Sequence, residues 1–233
     1  MPSTCIVVKS YPKDYPWLAY CLRSIQKFCT GFSEVIVMIP REHPLPLTKE
    51  TVVLMDAAES YLSQQVAKLN ADLHTEADYI VLMDSDCIFT RKVTPDYFFY
   101  HGRPAWTVTP FSECSDTERK AWLHVMVKCV QKMPEHEFMR RNCIIVPRWI
   151  FPLFRKFIQD THGMTMEQYV MSQPGHEFSE FNCLGFYAWL NHRDEFHWHD
   201  TSIDGIPKWP FQQRWSWGGL TPAIREEMEK VLA

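Results

Sequence analysis

Short apolar runs at Cys5 to Val8, Val35 to Ile39, Val52 to Met55 and Tyr79 to Met83 recur through the first half of the chain. Segments with helical spacing lie between them. Strands and helices alternating at this length predict a mostly parallel sheet with helices on both faces, because parallel neighbours need a crossover that then covers the sheet. Trp17, Leu18, Cys21, Leu22, Ile25 and Phe28 share one helix face up to the break at Thr30-Gly31. A loop with Pro40, Pro44 and Pro46 joins the second strand to the short third one. Leu62, Val66, Leu69 and Leu73 mark the next helix face and leave Gln64, Gln65 and Lys68 on its other sides. The expected opening is β-α-β-(β)-α-β.

The second half is less regular. Pro104 to Thr109 and Cys143 to Val146 read as strands flanking a helix with Trp122, Val125, Met126, Cys129 and Met133 on its apolar face and Pro134 as its stop. A helix over Ile150 to Ile158 is expected to end at His162-Gly163. Ser179 suits the N-cap of a helix through Phe181, Leu184, Ala188 and Leu190, with Phe178 as its hydrophobic staple. Glu195 to His199 reads as a strand. The final helix has Thr221 as cap, Pro222 at its first position and Ile224, Met228, Val231 and Leu232 on one face. No internal repeat, low-complexity segment or composition break divides the 233 residues, so one domain is expected.

Composition narrows the function classes. Hydrophobic residues at 46% and aromatic residues at 14% supply a substantial core. A net charge of -4 without a long basic run excludes binding to nucleic acid by counterion release. The eight cysteines, at 5, 21, 29, 87, 114, 129, 143 and 183, form no C-x-x-C pair, which points to free thiols in a reducing compartment. Met1 to Ser10 lacks a basic region followed by an apolar stretch, and no apolar segment approaches the roughly 20 residues of a spanning helix. A cytoplasmic protein without a transmembrane segment is expected.

Asp84-Ser85-Asp86 closes the fourth apolar run, at the strand end where ligands of open α/β sheets bind. Strand alternation would project both carboxylates to one side, spaced to hold a hard divalent cation; a solvated turn is the plain alternative. Mg²⁺ and Mn²⁺ take oxygen ligands, and phosphate oxygens commonly complete their shell. Lys68 would add positive charge beside a diphosphate, or be a solvated helix lysine. His197 and His199 alternate with Phe196 and Trp198, so one strand face carries both imidazoles, either toward a metal or toward water.

Glu180 sits one residue after the expected cap, where the helix dipole favours the carboxylate and lowers its pKa. It is either an ionised base for an acceptor hydroxyl or an electrostatic support for its own helix. Asn182 can assist by hydrogen bonding. In Ser216-Trp217-Gly218-Gly219 the paired glycines permit backbone approach to phosphate, and Trp215 or Trp217 can cover a donor; a glycine turn anchored by core aromatics is the alternative. Arg140-Arg141, with Trp122 and His124, either borders an acceptor pocket or is a solvated basic pair.

With D-x-D after a central strand, Gln64-Gln65-x-x-Lys68 on the preceding helix, Ser179-Glu180-Phe181-Asn182, and Trp215-Ser216-Trp217-Gly218-Gly219 near the end, the chain resembles the GT-A family of nucleotide-sugar-dependent glycosyltransferases. Its motifs are similar to those of compact bacterial and algal-virus members and span almost the whole chain. The resemblance implies a GT-A, Rossmann-like sheet, with residues 1–100 as the nucleotide-sugar and metal-binding half and 101–233 as the acceptor-binding and catalytic half. It implies Mn²⁺ or Mg²⁺, with Asp86 on the metal that bridges the diphosphate, Asp84 toward the ribose or sugar, and His199 as a third ligand. Gln65, Lys68, Trp217, Gly218 and Gly219 would then contact the donor, with a UDP-sugar expected.

The expected function is transfer of a sugar to a glycan or other hydroxyl acceptor, inverting with Glu180 as base. Retention and a non-catalytic nucleotide-sugar or glycan binder remain the alternatives. A D-x-D phosphatase would carry its nucleophile on the first strand followed by Gly-Thr, whereas Cys87-Ile88-Phe89 follows here. A nucleotidyl transferase would want a glycine-rich loop where Lys9-Ser10-Tyr11-Pro12 stands.

Overall fold

Each of the apolar runs in the first half becomes a strand of one sheet. The structure, a computed structural model, describes residues 2–45, 49–55, 60–140 and 143–233; Pro46 and Arg141, named above, lie outside them. β1 (Thr4–Lys9), α1 (Tyr15–Phe28), β2 (Val35–Pro40), β3 (Thr51–Met55), α2 (Tyr61–Leu69) and β4 (Tyr79–Asp84) follow in order. The four strands are parallel, with Ile6 opposite Val35, Thr4 opposite Tyr79 and Ile36 opposite Thr51.

The chain continues through β5 (Cys87–Phe89), β6 (Phe99–Tyr100), β7 (Arg103–Pro110), α3 (Asp116–Val130), β8 (His136–Glu137) and β9 (Ile144–Pro147). β9 joins β4 antiparallel, Ile80 opposite Val146, and completes the order β3-β2-β1-β4-β9. Then come α4 (Ile150–His162), α5 (Met166–Met171), α6 (Glu180–Asn191), β10 (His197–Asp200), α7 (Thr201–Asp204), β11 (Phe211–Gln213) and α8 (Pro222–Leu232). β10, β7 and β6, with β8 also paired to β7, make a second, small four-stranded sheet, and β11 pairs with β5.

Alternate residues of each central strand feed separate cores. Val7, Ile36, Met38, Ile80 and Leu82 pack with the faces of α2, α3, α4 and α6, and this core holds side chains from both halves of the chain. Ile6, Val8, Val37, Ile39, Val81 and Met83 pack instead on Leu18, Cys21, Leu22 and Ile25 of α1. The period of two along a strand therefore appears as two buried faces. No helix among the described residues is long and apolar enough to cross a membrane.

The caps fall where expected. Ser179 Oγ accepts from the Asn182 N–H, Thr221 Oγ1 from the Ile224 N–H, and Gly163 ends α4 in the left-handed region at φ 67°. Two helix faces end sooner than their spacing suggests. α2 stops at Leu69, which leaves Leu73 63% exposed on the following turn; α3 stops at Val130 with Gln131 left-handed, which leaves Met133 71% exposed. α5 was not anticipated, although its Thr165-x-x-Gln168 capping box is a sequence signature.

Gly185 shows how closely α6 lies on the small sheet. A Cβ there would meet Phe138 Cβ at 2.6 Å and Trp106 Cζ2 at 2.9 Å. Gly185→Ala is therefore expected to lower stability by about 1–3 kcal/mol despite alanine's better helix propensity. Urea denaturation reads the change; an unshifted midpoint would mean that the two rings give way freely.

Candidate functional site

β1 has β2 on one side and β4 on the other, so the carboxyl ends of β1 and β4 flank the point where the strand order reverses. Ligands of open α/β sheets collect at this place. The loop after β1 brings Tyr11 and Asp14 there, the end of β4 brings Asp84, and the turn after it brings Ser85 and Asp86. A cleft of about 470 Å³ opens over the same end of the sheet, lined by Tyr11, Asp14, Tyr61, His176, Ser216 and Trp217 among others.

Asp84 is the last residue of β4 and lies in register with Ile80 and Leu82, whose side chains enter the α2–α6 core. Its partner comes from that side. Lys68 Nζ forms a close ion pair with Asp84 and donates to Glu180 Oε1 at 2.7 Å, with the Phe181 ring 4.7 Å away. Gln65 Oε1 accepts from the Glu180 N–H at 3.0 Å, which satisfies a first-turn donor of α6. Burial alone would push the Lys68 ammonium down, but Asp84 and Glu180 outweigh it and hold it well above its usual value.

This arrangement bears on three expectations. Gln65 and Lys68, expected to contact the donor, are both buried and bond to Glu180 of α6, so Lys68 is not the solvated helix lysine of the alternative reading. The Glu180 pKa is raised, not lowered, because burial at 2% exposure outweighs the pull of Lys68. A carboxylate sealed in this way and bound to an ammonium is not placed to reach an acceptor hydroxyl. Asn182 likewise serves the fold, its Oδ1 accepting from the Phe138 N–H at 2.8 Å and its Nδ2 donating to Ser179 Oγ at 3.2 Å.

Strand alternation does not extend to Asp86, since β4 ends at Asp84 and Ser85-Asp86 form a turn. The turn instead docks on the C-terminal segment. Ser216 N–H donates to Asp86 Oδ2 at 2.8 Å, and Arg214 N–H donates to the Asp86 carbonyl at 3.0 Å. Ser216 Oγ donates to Asp14 Oδ2 at 3.0 Å. Burial and the neighbouring Asp84 charge push the Asp86 carboxyl up to about 6, against the Ser216 N–H, which pulls it down. Asp14 is raised as well, by burial and by Asp84. Three carboxylates thus stand near the buried Lys68, and Lys9 of β1, also buried and opposite Asp84 in the sheet, lines the same cleft.

Other candidates stand apart. His199 is not brought to the aspartates: its Nε2 lies 2.8 Å from the Gly205 carbonyl, and it lines a second cleft with His197. Among the described residues, no three His, Cys, Asp or Glu side chains are grouped so as to hold a metal by themselves. Trp217 stands at the cleft, 85% exposed, whereas Gly218 and Gly219 have open space where a Cβ would go, so packing does not demand glycine at either. Gly219, at φ 76°, does need the left-handed region. Arg140 pairs closely with Glu118 of the α3 capping box, whose carboxyl it pulls down to about 2, and so braces a helix start.

Tyr61 on the cleft wall was not singled out by sequence reasoning, and neither was Asp14. The signal for Asp14 was position, in the loop after the first strand and so at the switch point, with no motif around it. No known family model matches the chain, and no curated protein matches it in sequence.

Proposed function

We propose that the protein is a divalent-metal-dependent glycosyltransferase of GT-A type that moves a sugar from a nucleoside-diphosphate donor, a UDP-sugar first among them, to an acceptor hydroxyl. The observation that carries this reading is the convergence of Asp14, Asp84 and Asp86 with Lys68 at the switch point, under a cleft with aromatic walls. Asp84 and Asp86 suit Mg²⁺ or Mn²⁺, which commonly use one or two carboxylates and leave the remaining positions to phosphate oxygens and water. Burial and the Asp84 charge raise the Asp86 carboxyl, so a cation bound beside it would offset the cost of holding it ionised. A cation bound there supplies the positive charge that a departing diphosphate requires.

The chain's own groups do the rest. Lys68 fixes Asp84 in place, and the Ser216 N–H orients one oxygen of Asp86. Tyr11, Tyr61 and Trp217 offer ring faces to the nucleotide. Glu180 holds Lys68; among the described residues that line the cleft the carboxylate is that of Asp14, which would take the acceptor proton.

Thermal-shift measurement across nucleoside-diphosphate sugars, with and without Mn²⁺, tests the proposal. One donor is expected to raise the melting temperature only with the metal, as ligand linkage requires, and to release nucleoside diphosphate slowly. Metal-independent binding without turnover would make the protein a binder, and no response to any donor would end the reading.

A further inference from the structure

A second cleft, of about 360 Å³, lies beside the small sheet. Ala105 and Thr107 of β7 and His197 and His199 of β10 line it, the residues that alternate with Trp106 and Trp198 on two paired strands. The ring of Tyr100 lies 4.1 Å from that of His197, and Trp209 and Asp204 also line the cleft. Its size falls at the lower end of the ~300–1,000 Å³ typical of small-molecule sites.

The lining chemistry selects among ligands. Among the described residues, no lysine or arginine lines the cleft itself, Arg91 and Arg103 acting only on the lining residues Tyr97 and His197, while Asp204 does line it, so a phosphate or other anion would meet a carboxylate inside. The imidazole of His199 narrows the choice further. Its Nε2 faces a carbonyl, which only accepts, so in the neutral ring Nε2 carries the hydrogen and Nδ1 is an acceptor. Asp204 Oδ2, also an acceptor, lies 3.7 Å from that Nδ1. Two acceptors side by side call for two donors side by side, as on neighbouring hydroxyls of a sugar, and the Tyr100 and Trp209 rings suit the apolar face of a pyranose.

The cleft is also tied to the proposed donor site. Pro207 and Trp209 line it, and the same segment runs on through β11 to Ser216 and Trp217 at the other cleft. Ile144, on its wall, is in register with Leu82, two residues ahead of Asp84. We propose that this second cleft holds the acceptor as a neutral glycan, one pyranose ring lying against Tyr100 and Trp209 while adjacent hydroxyls donate to His199 Nδ1 and Asp204. This rests on the transferase reading above.

Saturation-transfer NMR on the full chain, without metal or donor, tests it against a panel of neutral methyl pyranosides, short neutral oligosaccharides and their phosphorylated counterparts. At least one neutral glycan is expected to show transfer concentrated on one ring face. Asp204→Asn, and separately His199→Gln, should weaken that glycan about ten-fold or more while the melting temperature holds. Binding by no neutral glycan, equal binding by both variants, or preference for the phosphorylated ligands would overturn the inference. Donor-induced stabilisation on the same samples separates the failures: a donor response without glycan binding strikes down the acceptor cleft alone, and glycan binding without any donor response strikes down transfer.

Discussion

Lys68→Met is expected to destabilise the protein by about 3–5 kcal/mol near neutral pH, the usual effect of removing one partner from a buried ion pair. The lysine lies buried between Asp84 and Glu180, and methionine fills a similar volume without a charge. Both carboxylates then lose their counter-ion, and Glu180 has no route to water. The pH dependence has a definite sign. Burial already raises the Glu180 carboxyl, and loss of the ammonium lifts it further above its unfolded value, so the penalty grows as pH rises past that unfolded value. Denaturation at pH 5 should therefore show a smaller loss than at pH 7.5. Equal losses at the two pH values would mean that the effect is packing and not charge.

The same triad decides what Glu180 does. As the counter-ion of Lys68, Glu180→Gln should recover part of the stability lost in Lys68→Met, giving a non-additive double-mutant cycle. A proton acceptor whose only duty is in the cleft would give additive losses and an intact donor response.

The central strands β1, β2, β4 and β9 were legible because they are apolar on both faces, and the cap of α6 at Ser179 and that of α8 at Thr221 because capping is decided within a few residues. Asp84 and Asp86 were legible as a strand-end pair. What local pattern does not carry is which polar side faces another element. Gln65 and Lys68 have the spacing of a solvated helix side, and only the position of α6, more than a hundred residues later in the chain, turns that side inward. His199 repeats the lesson at the level of the sheet. Alternation along β10 places both imidazoles on one face, but β10 pairs with β7 and not with the sheet that carries Asp84, so that face opens on a different cleft.

Asp86→Asn is expected to abolish metal-dependent donor binding and, in the metal-free protein, to stabilise the fold. The two effects share a cause. Burial and the charge of Asp84 raise the Asp86 carboxyl from 3.8 to about 6, so at pH 7 the folded protein carries an anion at a cost that a neutral side chain would not incur. The penalty is absent below the unfolded value, develops as pH rises through the interval up to about 6, and is complete above it; by linkage it amounts to a few kcal/mol, on the order of 1.4 for each pH unit that the interval spans. Asparagine removes the charge and keeps a side-chain oxygen to accept the Ser216 N–H, so the turn and the C-terminal segment stay docked. Metal-free melting at pH 7.5 should accordingly rise for the variant and converge with the parent below pH 4, while added Mn²⁺ with a nucleotide sugar should stabilise the parent alone. A variant less stable than the parent at pH 7.5 would show that the Asp86 charge is already compensated within the protein, and the case for a cation at this turn would fail with it.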